Sequence, residues 1–378
     1  MKRVIYALAL ICFLSSGKWS FCSEQKINDN SSIIEYTIPV EVGEKFQEFS
    51  SSFSYDPYEN PYYVMKIMGE KLCEILPEEL VGMLREMSKN KGPSILLIKG
   101  MPIDRIIPSN DSVLERSKKK GKVSENAMLG IAYIMEHKFY SNIKQQQGRI
   151  IHNVAPVKEY EHTSSSLGRE PFLLHIENPY ERVPPYFLML LCLEEDQKAE
   201  TTYFFINDFL KTFPISIIEN MKQPEFRIFS GTAYSRVEER IVPLISEEKE
   251  LEITRLRLCE DHKSSIEPLS VRAKETLHYI EKAFSNYKKS MASVKLKKGE
   301  CLIFNNGWWI NGAREKGVMH GRKGYIENPY RWIQRGYLYP QTLAEKLQIR
   351  EHKKPGCVIL PKRSQRIYDR DRKRFRHI

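Results

Sequence analysis

The residues best suited to chemistry in this chain are His175 and Glu177, separated only by Ile176. In a β-strand, residues i and i+2 project from the same face, so an imidazole and a carboxylate spaced this way can reach one metal ion. A second histidine from a distant strand would complete a two-histidine, one-carboxylate set. That set suits iron(II) and leaves positions open for substrate and dioxygen. An H-x-E pair also arises on solvent-facing edge strands, so it carries weight only in company. Arg331 and Arg335 supply some of that company. Four residues apart, they share a strand face, and a guanidinium fork grips a carboxylate with two parallel hydrogen bonds, as lysine cannot. The competing reading is a pair of surface salt bridges.

These side chains need a scaffold of strands, and the pattern predicts one. Short β-type runs stand at 94–99, 186–193, 202–206, 225–229, 252–258, 300–304 and 330–339, with another at 35–41. Helices are expected where Leu80, Met83, Leu84 and Met87 recur after Pro77, near 125–137, and after Pro268 with Ala273, Leu277, Ile280 and Phe284. The stretch 24–60, the run at 35–41 apart, reads as polar loop. Many short strands with a few helices outside them predict a mainly β protein with flanking helices (α+β), a double-stranded β-helix or jelly roll.

The surroundings of the H-x-E pair are more specific than the pair itself. GPSILLIKGMPID at 92–104, QQQGRIIHNVAP at 145–156, SSSLGREPFLLHIE at 164–177, PPYFLMLLCL at 184–193 and RWIQR at 331–335 together resemble the clavaminate synthase-like branch of the taurine-dioxygenase superfamily. That branch consists of iron(II)/2-oxoglutarate-dependent oxygenases and includes asparagine and arginine hydroxylases. Similarity runs from about 92 to 339 and fades between 208 and 294. The resemblance implies that His175 and Glu177 ligate iron(II), and that Arg331 binds the far carboxylate of 2-oxoglutarate with Thr201 or Thr202 as helper. It further implies that Arg335 binds the α-carboxylate of an amino-acid-like small molecule. Glu170, Glu260 and Asp261 are candidate partners for that substrate's amine.

Two anchors disagree about the third ligand. Counting forward from Asn306, after the strand at 300–304, selects Asn311; the signature Met319-His320-Gly321-Arg322, at its spacing from Arg331, selects His320. A neutral imidazole is a good iron ligand, whereas a carboxamide oxygen is weaker and better suited to hard cations. With His320 the expected protein is an oxygenase hydroxylating or oxidising an amino-acid-like molecule. With Asn311 it is a catalytically inactive relative serving as an exported binding or interaction module.

Composition bounds the remaining possibilities. The 378 residues are 41% hydrophobic and 28% charged, enough for a substantial core. Lys2 and Arg3, the apolar run 4–14 and small residues after it have the layout of a signal peptide. The expected organisation is therefore a leader or N-terminal anchor at 1–23, an oxygenase-like domain at 24–345 and a basic tail at 346–378. A cleaved leader implies export into the secretory pathway; an uncleaved one would be the protein's membrane contact, and with neither effect the chain is cytoplasmic. The seven cysteines are scattered without a C-x-x-C, which argues against a thiolate metal site and a disulfide framework. The net charge of +11 owes much to the tail, and no nucleic-acid-binding motif accompanies it, so no nucleic-acid partner is expected.

Overall fold

The computed structural model describes residues 33–108, 119–142, 145–181, 183–230, 239–248, 253–261, 265–288, 291–309, 317–342, 350–352 and 354–359. The leader segment and Asn311 lie outside the described residues. Two sheets make the frame, and their strands are numbered in chain order. They are β1 (Ile33–Thr37), β2 (Ile95–Lys99), β3 (His137–Phe139), β4 (Ile151–Val154), β5 (Phe172–His175) and β6 (Phe187–Glu194), followed by β7 (Glu200–Phe205), β8 (Ala292–Val294), β9 (Cys301–Asn305), β10 (Val318–Lys323) and β11 (Trp332–Pro340). The seven-stranded sheet runs β1-β2-β9-β6-β11-β3, with β4 also paired to β11; the four-stranded sheet runs β8-β7-β10-β5. All these pairings are antiparallel except β1 with β2. This is the expected jelly roll.

Alternation along the strands separates two cores. On β7, Tyr203 packs with the large sheet's core, whereas its neighbour Phe204 joins Phe209, Phe226, Ile280 and Phe284 behind the small sheet. Leu174, Ile176 and Met319 lie in that second core, which turns the intervening residues His175, Glu177 and His320 toward the space between the sheets.

Helices cover the outer face of the large sheet: α1 (Val40–Ser52), α2 (Pro61–Ile75), α3 (Glu78–Ser88) and α4 (Val123–Ile134). Helix α3 buries Leu80, Val81, Leu84 and Met87, the face its spacing predicts. Helix α2 approaches α4 closely because Gly130 leaves room for Leu72, whose Cδ1 would lie 2.6 Å from an added Cβ. Short helices α5 (Ile206–Leu210) and α6 (Ile215–Met221), with α7 (Val271–Tyr287), enclose the second core. Ser270 caps α7 by accepting a hydrogen bond from the Ala273 amide at 3.0 Å.

Some boundaries differ from the sequence expectation, for local reasons. The helix expected to reach His137 stops at Ile134, because Glu136 adopts a φ of 55° and the chain turns into β3. Helix α1 occupies residues read as loop or strand. Its apolar face is thin, Phe46 fully buried with Val42 and Phe49 partly buried against the core, and polar residues fill the rest. Beyond 346, strand Lys354–Ile359 pairs with Ser141–Asn142 and with Arg350–His352. No helix among the described residues is long and apolar enough to cross a membrane. Cys73, Cys192, Cys259, Cys301 and Cys357 are all free thiols.

Candidate metal centre

Strand register brings the two histidines together. On the β5–β10 pair, His175 stands directly opposite His320, and the two ring centroids lie 4.3 Å apart. Glu177 follows where β5 leaves the sheet. Its amide accepts no freedom: the backbone N–H donates to Asn306 Oδ1 at 2.9 Å, and Asn306 Nδ2 donates back to the Glu177 carbonyl at 3.1 Å. The turn holding Asn306 presses onto Ile176 through Gly307, where an added Cβ would meet Ile176 Cδ1 at 2.6 Å and where φ is 74°. As a result, Glu177 Oε2 lies 3.6 Å from His175 Nε2 and 3.9 Å from His320 Nε2. One ligand atom from each of His175, Glu177 and His320 falls within 4.8 Å of the others.

The protonation states suit a divalent metal. His175 Nδ1 donates to the Leu173 carbonyl at 2.7 Å, since a carbonyl can only accept, and this leaves Nε2 with its lone pair. Burial, reinforced by His175, pushes His320 well below the usual imidazole range, so it is neutral. Burial alone would raise the Glu177 carboxyl, but the Arg335 guanidinium foremost outweighs it and holds the group well below the usual carboxylate range. Two imidazoles and one carboxylate make a donor set that iron(II) accepts. His320 Nδ1 is buried without a hydrogen-bond partner among the described residues.

Both arginines reach the same space. Positions 331, 333, 335 and 337 alternate inward at and along β11, and Arg331, Ile333 and Arg335 line a pocket with His175, His320 and Thr201. Thr202, the next residue on β7, is absent from that lining and takes the opposite face. Arg335 Nη1 donates to Glu177 Oε2 at 3.2 Å, and its Nη2 lies 3.3 Å from His152 Nδ1.

Arg331 is a buried cation in search of an anion. Its guanidinium makes no hydrogen bond or ion pair with any described residue, although only 7% of the residue is exposed. The nearby Asp196 is satisfied elsewhere, accepting from the backbone N–H groups of Lys198, Ala199 and Asn328. Burial lowers the pKa of Arg331, and burial together with the charge of Arg331 lowers that of Arg322. A buried guanidinium that depresses a second one beside it calls for negative charge nearby. Arg322 is structurally committed: its Nη2 donates to the carbonyls of Gly168 at 2.9 Å and Glu170 at 2.5 Å, tying the loop before β5. The far carboxylate of a dicarboxylate would fit against Arg331.

Other expected residues fall outside this centre. Glu260 pairs with Lys288 and accepts from the Leu174 amide at 3.2 Å, so its carboxylate is already engaged. Sequence reasoning missed Asn306, His152 as a partner of Arg335, and Tyr337, whose hydroxyl donates to Glu177 Oε1 at 2.7 Å. For Tyr337 a signal existed, since it lies two residues beyond Arg335 on the same strand face.

No family model matches the chain. Among curated proteins it is similar to L-asparagine oxygenase of Streptomyces coelicolor, with 24% identity over 274 residues covering 70% of this chain and 75% of that one. It is also similar to enduracididine beta-hydroxylase of Streptomyces hygroscopicus, with 27% identity over 168 residues. That match spans 42% of this chain and 47% of the relative, about half the relative's length. Among solved structures, an asparagine oxygenase in complex with Fe(II), 3-hydroxyasparagine and succinate superposes with a TM-score of 0.66 at 20% identity, covering 81% of this chain and 93% of that one. The non-heme iron oxygenase OrfP in complex with iron and alpha-ketoglutaric acid gives a TM-score of 0.66 at 18% identity, covering 86% and 100%. The fold is theirs, and the resemblance read from the sequence to the clavaminate synthase-like oxygenases is borne out by these homologues.

Proposed function

From this homology and the centre between the sheets, we propose that the chain is an iron(II)/2-oxoglutarate-dependent oxygenase that hydroxylates a free amino acid or an amino-acid-like small molecule. The observation that carries the proposal is a pair of imidazoles and a carboxylate with ligand atoms within 4.8 Å of one another, beside a buried Arg331 without a counter-ion among the described residues. In this reading His175, Glu177 and His320 hold the metal. Arg331, with the Thr201 hydroxyl lining the same pocket, receives the far carboxylate of 2-oxoglutarate, and Arg335 receives the carboxylate of the substrate.

When bound, iron(II) and 2-oxoglutarate supply the oxidation of a substrate C–H bond, with decarboxylation of the co-substrate. The chain's own work is binding and positioning. His175 presents Nε2 because Leu173 fixes its tautomer, and Glu177 stays charged because Arg335 offsets the cost of its burial. Arg331 and Arg335, separated along one strand face by Ile333, set the spacing between co-substrate and substrate carboxylates. Leu190, Leu296 and Ile333 line the pocket with apolar surface that excludes water.

The test is an anaerobic titration with iron(II) and 2-oxoglutarate. A weak visible charge-transfer band, which shifts on adding L-asparagine or L-arginine, is expected, together with a rise in unfolding temperature at saturating ligand. Absence of both the band and the thermal shift would refute the proposal and favour an inactive binding module.

A further inference from the structure

We propose that Tyr337 is a positioning residue that fixes Glu177 as a single-oxygen metal ligand, holding Oε1 so that Oε2 alone is offered to the centre. The inference rests on the proposed function. Its basis is a buried hydroxyl, 2% exposed as a residue, that donates to Oε1 at 2.7 Å, while Oε2 is the oxygen 3.6 Å and 3.9 Å from the two imidazole Nε2 atoms. A glutamate side chain has three torsions, and a carboxylate free to rotate can turn both oxygens to a metal and fill two positions. A site that must also admit a chelating co-substrate and dioxygen needs that second position open.

The phenol itself is held on two sides. His152 meets the ring edge-on, with centroids 4.8 Å apart at 79°, and the Arg335 guanidinium lies 4.9 Å over its face. His152 is fixed in turn by Ser141 Oγ, 2.8 Å from its Nε2. The ring is therefore held in place, and Glu177 accepts from its hydroxyl. Partners of this kind, one shell out from a metal, orient the ligand and are worth 10- to 100-fold in metal affinity elsewhere.

The experiment uses cobalt(II) as the probe, followed by its visible absorption on the full-length protein. Tyr337→Phe keeps the ring and removes only the hydroxyl. The expected result is a cobalt(II) Kd raised roughly 10- to 100-fold with an altered absorption envelope, while Tyr339→Phe, two residues along the strand, stays within about twofold. Should the phenylalanine chain fail to fold, Tyr337→Met removes the same hydroxyl with a more adaptable filler. A Kd and spectrum unchanged by loss of the hydroxyl, even with lowered thermal stability, would overturn this inference alone. A wild-type chain that binds neither cobalt(II) nor iron(II) would overturn the proposed function and this inference with it.

Discussion

Replacing Arg331 by methionine should weaken 2-oxoglutarate binding and strengthen the ligand-free fold at the same time. The side chain is buried, has no counter-ion among the described residues, and stands close enough to Arg322 to depress it. In contact with a carboxylate at about 4 Å and an effective dielectric of about 20, a guanidinium gains about 4 kcal/mol. Part of that is offset by desolvating the carboxylate, so about 2–4 kcal/mol is expected, or roughly 30- to 1000-fold in Kd. Without the dicarboxylate the same charge is a liability. Methionine removes a desolvated cation and its repulsion of Arg322, and the ligand-free protein should gain about 1–3 kcal/mol. The assays are anaerobic 2-oxoglutarate titration for affinity and urea unfolding for stability, in which the midpoint should rise at unchanged slope. A variant that binds 2-oxoglutarate as tightly as the parent, or whose ligand-free form is less stable, would refute the reasoning. Either result would mean that Arg331 is a structural cation with a protein partner.

Three further outcomes are expected. His320→Ala should abolish measurable iron(II) or cobalt(II) binding, whereas Asn311→Ala should leave the affinity within about twofold, because a carboxamide is the weaker ligand; equal losses in the two variants would reject His320 as the third ligand. Burial lowers His137 from 6.5 to about 4, while its hydrogen bond to the Met135 carbonyl opposes the shift. The unfolded chain then takes up the proton first, so this stability is present above pH 6.5 and falls away as pH drops toward 4, by about 2 kcal/mol at pH 5; a urea midpoint that falls equally between pH 7 and 5 in the parent and in His137→Phe would exclude this cause. Lys119 is buried between Asp104 and Glu125, and Glu125 also accepts from Gln334 on the outer face of β11 at 2.9 Å. Lys119→Met should cost about 3–5 kcal/mol by leaving two buried carboxylates without a cation, and a loss under about 1 kcal/mol by urea unfolding would show that they find other partners.

What the sequence determined by itself is what local periodicity governs. The two-residue repeat placed His175 with Glu177, and Arg331 with Arg335, on common faces, because strand geometry requires it whatever the rest of the chain does. The three-to-four-residue repeat located α3 and α7 for the same reason. Helix α1 escaped although Val42, Phe46 and Phe49 stand at helical spacing, because only three apolar residues mark its face in an otherwise polar stretch. The choice between Asn311 and His320 was beyond local reasoning: both follow a plausible motif, and only the cross-strand register of β5 with β10 sets the His320 backbone opposite His175. Tertiary structure also decided that Arg335 bonds to Glu177, that Tyr337 takes the other oxygen, and that Glu260 is occupied by Lys288. Contacts between residues so distant along the chain depend on how whole sheets and helices close on one another, and no short window of sequence contains that information.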